Sequence, residues 1–542
     1  MSAAKRMSAA FACTGLIAMT AACAPSGPTG QVAGAPPVVI TVGSANAYTT
    51  LDPAQAYDIG AWTLYSNIYQ GLMSYRPGSD TPQADAAQSC GYTDHADETY
   101  TCVLRPDMTF SNGDPLNAAA VKYSIDRVMA INDPNGPVAI LGATIASVQT
   151  RGNDTVVFHL KSPDATMPAK LSSGVASIID PKTLPAAKEA ALDYTGVVGS
   201  GRYKIDSVTF TGSGVDKSPS EVKLSLNPNY KGSAATPRNS GIDLRYYPDQ
   251  EGTKKALDDD QVDTVIADLN VSDVVSMQQN QQLGTGLQVD SGPGGGIHML
   301  VLNTASGVFA KQPVRRAVAE LLDRGAIADK AFSHMVSPAY TIVPSSIADA
   351  TSSFSVYGQR PLSADKVRQQ LKSAGVSLPV PFTFSYYSRG DQAIAQEAAL
   401  IKQQLEAGGI FKVTLHDYVT HPKLAAAILQ KPDFDAYSLT WYSDYLDIDD
   451  YIAPLVGPHN AVQNGYAAPA ALIADGLAHT NREDAKSDYA QIQQDIARDV
   501  PVVPLWQSSQ YAATQENVDG VPLTLDSSGI QRWWLIGKSS TS

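Results

Sequence analysis

Between residues 363 and 418 the chain alternates helix and strand signals in a rhythm that a layered α/β fold satisfies. Ser363 stands as N-cap before ADKVRQQLKSA, and Gly375 is the C′ residue that ends that helix. The strand PFTFSYY follows at 381–387. A second helix then sets Ile394, Ala398, Ile401 and Leu405 on one face, Gly408 and Gly409 stop it, and FKVTLHDYV opens another strand at 411. Strand, helix and strand at these lengths predict a βαβ unit within a parallel sheet.

The rest of the chain repeats both signals. VVITVG (38–43) reads as a buried strand, and Trp62, Ile68 and Leu72 recur at near-helical spacing. Asn117 is placed to cap AAAVKYSIDRVMAI, with Val121, Ile125 and Val128 on one face. Further helices are expected at 267–275, 313–332 and 483–499, and a buried strand at PVVPLW (501–506). TGSGVDKSPSE (211–221) reads as an exposed hairpin loop. At 542 residues the chain exceeds what one ordinary core supports, so two or more lobes are expected. A formal charge of -14 argues against nucleic acid or anionic lipid as a partner, since both select a basic face.

The N-terminal residues have a different purpose from folding. Lys5 and Arg6 precede a short apolar run, Phe11 to Met19, and then Thr20-Ala21-Ala22-Cys23. The run is too short to span a bilayer and reads as an export signal, residues 1–22. Small residues followed by cysteine resemble the lipobox of bacterial lipoproteins, in which Cys23 becomes acylated and N-terminal. A plain cleavable signal with a chance cysteine is the other reading. Two acyl chains suffice for stable anchoring where one does not. Residues 23–37 are rich in Pro and Gly and carry no charge, which suits a flexible tether. The membrane is then a partner through the lipid alone.

Cys13 leaves with the signal, so Cys90 and Cys102 remain as a pair around a polar turn, with a strand beginning at Thr99. A disulfide across a hairpin is expected in an oxidising compartment, and two free buried thiols are the alternative.

Catalytic signatures are missing from the sequence. There is no HExxH, GxSxG or CxxC, and Gly292 to Gly296 lack the following GK[ST] of a phosphate loop. The tail Gly537-Lys538-Ser539 has Arg532 where a Walker motif needs glycine. Asp444, Asp447, Asp449 and Asp450 lack the glycine turn and terminal glutamate of a calcium loop, and read as acids opening a helix. No metal site, cofactor or catalytic residue is expected.

Five blocks, in order along the chain, resemble the family 5 extracellular solute-binding proteins, the oligopeptide-, dipeptide- and nickel-binding group. They are YTCVLRPDMTFSNGDPLNAAAVKYSIDRV (100–128), GSGRYKI (199–205) with LSLNPNYKG (224–232), DLRYYPDQEGTKKALDDDQVD (243–263), LVLNTASGVFAKQPVRRAVAELLDRGAI (300–327) and FDAYSLTWYSDYLDIDDYI (434–452). The resemblance implies a two-lobed α/β protein of the periplasmic-binding type with an extra subdomain, the ligand cleft lying between the lobes. Lobe I would comprise 38–75, 200–295 and 505–542, the extra subdomain 76–199, and lobe II 296–504. It implies a monomeric receptor, not an enzyme, that captures peptides and delivers them to the permease of an ABC importer. A non-peptide solute on the same fold (haem, nickel chelate or oligosaccharide) is the second reading, and a secreted hydrolase a distant third.

The resemblance also implies site residues. Asp444 would meet a peptide's ammonium group, and backbone groups of Thr440–Tyr442 and Tyr57–Ile59, with Asp58 between, would pair with an extended ligand. Trp441, Tyr442 and Tyr48 would wall the pocket. Arg389, in YYSRGDQ, would meet a ligand carboxylate. His298 lies on what resembles a lobe-connecting strand, where it would line the cleft.

Overall fold

The computed structural model describes residues 38–284, 286–430 and 434–539. The signal, the tether and Cys23 lie outside the described residues. One long mixed sheet organises the molecule. From edge to edge it runs Phe411–Asp417, Val380–Tyr386, Ala436–Trp441, Gln288–Leu302, Val502–Thr514, Thr264–Ile266, Val39–Ser44, Gly241–Tyr246, Ser218–Leu226 and Tyr203–Thr211. The predicted βαβ unit is present: Val380–Tyr386 pairs in parallel with Phe411–Asp417, and the helix Gln392–Glu406 joins them.

Gln288–Leu302 and Val502–Thr514 are the longest strands, antiparallel, and they run through the middle of the sheet. Their pairing slips between Pro293 and Ile297, so Gly294, Gly295 and Gly296 form a bulge opposite Ser508. The glycine run therefore shapes a crossing strand. A Cβ on Gly294 would fall 2.4 Å from Ser508 Oγ, and one on Gly292 would fall 2.3 Å from the Leu525 carbonyl. Only glycine lets these backbones approach so closely.

Three large hydrophobic clusters flank the sheet. One packs residues from 297 to 506 around Phe309, Phe382, Tyr451 and Trp506. A second gathers Phe110, Phe158 and Val121 with other residues from 54 to 178, and receives Tyr445 from the far side of the chain. The third joins Ile40, Tyr65 and Tyr203 to Trp533 near the C-terminus. In the second cluster a four-stranded antiparallel sheet, Ala87–Tyr92, Thr99–Leu104, Thr155–Leu160 and Ile145–Arg151, supports the helix Ala118–Ile131. Asn117 caps that helix, accepting the Ala120 N–H at 3.0 Å.

Several element limits depart from the sequence reading. The helix carrying Trp62 is Ile59–Ile68 and stops short of Leu72, because Tyr69 is extended and Gly71 lies against the Leu171 carbonyl. The expected helix at 313–332 is two, Gln312–Leu321 and Arg324–Phe332, with Asp323 capping the second through the Ala326 N–H. The helix expected at 267–275 runs instead from Val271 to Gln282. Among the described residues no helix is long and apolar enough to cross a membrane.

Cys90 and Cys102 face each other across Ala87–Tyr92 and Thr99–Leu104 and form a disulfide. Both thiols are expected to resist alkylation in the native exported protein until a reductant is added. Intact-mass analysis after alkylation reads this directly, and two modified cysteines without reductant would contradict the bond.

Candidate functional site

The site is built at the end of the strand Ala436–Trp441 and in the loop that follows it. On one side this strand pairs with Gln288–Leu302 along its whole length, from Leu302↔Ala436 to Ile297↔Trp441. On the other side its pairing with Val380–Tyr386 ends at Tyr437. From Ser438 onward that edge has no strand neighbour among the described residues, which leaves main-chain groups available to an added strand.

Tyr442 follows directly and is half exposed. Its ring lies across Gly296, where a Cβ would fall 2.7 Å from Tyr442 Cε1. Gly296→Ala is therefore expected to displace the ring and weaken ligand binding by up to about tenfold, the scale of one aromatic contact. Calorimetry with the wild-type ligand checks it, and unchanged affinity would separate Tyr442 from the ligand. The indole of Trp441, partly buried, donates from Nε1 to the Asp450 carbonyl at 2.8 Å and so braces the turn.

Asp444 stands two residues beyond Tyr442. Its Oδ2 accepts a hydrogen bond from the Tyr57 hydroxyl at 2.8 Å, a contact between residues 387 positions apart. Its backbone N–H donates to Asp450 Oδ2 at 2.6 Å. Burial raises the Asp444 carboxyl to about 6, against a smaller lowering from the Tyr57 hydrogen bond. Among the described residues it has no Lys, Arg or His partner. A half-buried carboxylate without a counter-cation is suited to receive one from a ligand.

Tyr57 and Ile59 have exposed side chains, and it is Tyr57 that reaches this loop through Asp444. Asp58 between them has a structural task. It caps the helix Ile59–Ile68, accepting the Ala61 N–H at 2.8 Å, and also accepts the Thr49 hydroxyl. Tyr48 does not wall the pocket. Its side chain is buried in the cluster around Ile40 and meets Tyr246 edge-to-face at 6.1 Å.

Arg389 is exposed in the left-handed region, in the loop after Val380–Tyr386, and its N–H donates to the Val419 carbonyl at 2.8 Å. Burial raises the Tyr387 and Tyr442 phenols and lowers the His421 imidazole. The Arg389 charge opposes the first two shifts and deepens the third, and the Tyr387 and His421 rings meet edge-to-face at 5.4 Å. Arg389 has no carboxylate partner among the described residues. The open strand edge therefore has an acidic pole at Asp444 and a basic one at Arg389.

His298 is absent from the cleft wall. It is buried in the sheet, where Nδ1 lies 2.7 Å from the Thr440 hydroxyl and the ring stacks on Trp506 at 4.4 Å. Glu397 completes the group, with Oε2 3.3 Å from His298 Nε2 and Oε1 accepting the Trp506 indole N–H at 2.8 Å. So enclosed, His298 is almost fully buried. Thr440 likewise spends its hydroxyl on His298 and offers the cleft its backbone.

The acids after Asp444 do open a helix, Asp449–Val456, but Asp449 and Asp450 are almost fully buried in it. Sequence reading missed Tyr387, His421 and Asp450 as neighbours of the site. For Tyr387 the signal was present, since it shares the YYSRGDQ loop with Arg389.

An α/β protein whose two halves share two crossing strands, with an unpaired edge and opposed charges beside them, is a two-lobed solute-binding protein. The model of the bacterial extracellular solute-binding proteins, family 5, matches residues 81–463, and the chain belongs to that family. It is thus an extracytoplasmic binding protein rather than an enzyme. It is 25% identical over 513 residues to the probable D,D-dipeptide-binding periplasmic protein of Escherichia coli (strain K12), covering 90% of this chain and 92% of that one. Among solved structures it resembles an ABC transporter substrate-binding protein of Listeria monocytogenes (TM-score 0.76, 18% identity, 93% and 99% of the two chains). It also resembles a periplasmic binding protein of Helicobacter pylori in complex with the peptide STSA (TM-score 0.72, 18% identity, 93% and 98%).

Proposed function

We propose that the protein captures short peptides outside the cytoplasm and delivers them to the permease of an ABC importer. The observation that carries this reading is Asp444: a carboxylate in the cleft, bridged by Tyr57, lacking a cation, and placed where a strand edge lies open. A peptide satisfies all three features at once. Its ammonium group meets Asp444, its main chain pairs with the edge after Ser438, and its carboxylate reaches Arg389. The family membership and the dipeptide-binding name of the Escherichia coli relative support the same class of ligand.

In this reading the protein works as a monomer held to the membrane by lipid on Cys23, with residues 23–37 as tether. Lobe I takes 38–75, 200–295 and 505–542, lobe II takes 296–504, and the subdomain 76–199 belongs with lobe I. The three hydrophobic clusters support that division, since the largest falls almost wholly between residues 297 and 506. Mass spectrometry of the ligand that copurifies with the exported protein tests the function. Peptides with free amino termini are the expected finding, and a uniform non-peptide ligand would overturn the reading.

A further inference from the structure

Two tyrosines cross the boundary between the lobes in opposite directions. Tyr75, the last residue of lobe I before the subdomain, is buried in the cluster that otherwise spans residues 297–506. Tyr445, next to Asp444 in lobe II, is buried in the cluster that otherwise spans residues 54–178. Each ring is thus a core residue of the opposite side. A hydrogen bond ties the exchange together, because the Leu446 N–H donates to the Tyr75 hydroxyl at 3.2 Å. Lys170 of the subdomain is held by Asp164 and by the Thr144 hydroxyl, both at 2.7 Å, and its amino group lies 5.4 Å from the centre of the Tyr445 ring.

The seam continues beyond the rings. The Ala165 N–H donates to the Leu477 carbonyl at 2.7 Å, and the Thr480 hydroxyl donates to Asp97 Oδ2 at 2.8 Å. These contacts all lie off the crossing strands, Gln288–Leu302 and Val502–Thr514, that connect the lobes covalently.

We propose that Tyr75 and Tyr445 form a reciprocal clasp, and that the lobes open for ligand exchange only when both rings leave the opposite core. The clasp rests on the lobe division above and is independent of which ligand binds. Burial of one aromatic ring contributes about one to two decades to an equilibrium constant. The hydrogen bonds along the seam add less, since water replaces them on opening. The rings therefore set the closed population, and the hydrogen bonds set the register in which the two sides meet. Tyr445 follows Asp444 directly, on the turn that the Trp441 indole braces through the Asp450 carbonyl. A group held by Asp444 leaves only after Tyr445 has been unseated.

Hydrogen exchange tests the clasp on the full-length exported protein, freed of copurified ligand by refolding from urea with its disulfide intact. Tyr445→Ala should speed exchange in the peptide containing Ala165 by roughly ten- to a hundredfold. Tyr75→Ala should do the same, although Ala165 donates to Leu477 and to neither ring. The strands Thr99–Leu104 and Val380–Tyr386, one on each side of the seam, should stay protected. Small-angle scattering should show a larger radius of gyration for both variants. Tyr445→Phe keeps the ring and should match wild type in both measurements. Exchange that rises only around residues 445 and 446 would overturn the clasp. Rapid exchange of the Ala165 peptide in wild type, or loss of protection that spreads to Thr99–Leu104, would overturn it equally. No ligand enters these measurements, so each of those outcomes leaves the peptide reading standing.

Discussion

Asp444→Asn is expected to weaken binding of a free-amine dipeptide by roughly ten- to a thousandfold. A peptide's α-amino group is cationic at neutral pH, and a closed cleft removes it from water, so it needs a charged acceptor. A hydrogen bond to a charged group contributes about 1.5–3 kcal/mol, and stranding a buried charge costs about 3–5 kcal/mol. At about 1.4 kcal/mol per decade these bracket the stated range. Asparagine keeps the shape and can still accept the Tyr57 hydroxyl, so the substitution isolates the charge. An N-acetylated form of the same dipeptide should bind wild type poorly and lose little more in the variant. Calorimetry on two ligands and two proteins closes the cycle. If the variant binds the free dipeptide as tightly as wild type, Asp444 serves the fold, and the amine end of the ligand lies elsewhere.

What the sequence made legible follows from the range of each signal. The cap at Asn117, the stop at Gly375 and the βαβ unit at 380–417 depend on residues a few positions apart, and they appear where the periodicity placed them. The disulfide too was readable, because a hairpin brings Cys90 opposite Cys102. The long sheet was not, since Val502–Thr514 pairs with strands hundreds of positions earlier and no local pattern encodes that partner. Family resemblance supplied Asp444 and Arg389, but it could not show which neighbours a buried residue would have. Tyr48 and His298 were read as cleft residues from their positions in the chain. Both are consumed by packing, Tyr48 against Tyr246 and His298 between Trp506, Thr440 and Glu397. Asp450 looked like one of several acids at a helix start, and that placement is correct. Its burial, and the bond its Oδ2 makes to the Asp444 N–H, depend on tertiary packing and are invisible in one dimension.

The loop that carries Tyr57 to the cleft is fixed by a buried ion pair, and breaking that pair should be the most damaging single change to stability. Arg127, on the helix Ala118–Ile131, makes a bidentate contact with Asp52, Nη1 to Oδ1 at 2.5 Å and Nη2 to Oδ2 at 2.6 Å, with both side chains buried. Its remaining donors reach the carbonyls of Pro185 and Lys188 at 2.7 and 2.8 Å. Asp52 in turn accepts the N–H groups of Ala54 and Ala190 at 3.0 Å each. The pair therefore joins three segments distant in sequence: the loop before Tyr57, the helix, and the stretch 185–190. Arg127→Met leaves a buried carboxylate with no cation, and removing one member of such a pair costs about 3–5 kcal/mol. A lower urea midpoint measures the loss. Asp52→Leu in the same chain removes the stranded charge, and apolar replacements for both members of a buried pair are often neutral, so the double variant should regain much of the stability. It should not regain ligand affinity, because the Ala54 and Ala190 N–H groups that held the loop have lost their acceptor, and Tyr57 is no longer positioned over Asp444. Equal stability of Arg127→Met and wild type would show that water reaches the Asp52 carboxylate and that the loop is held by other contacts.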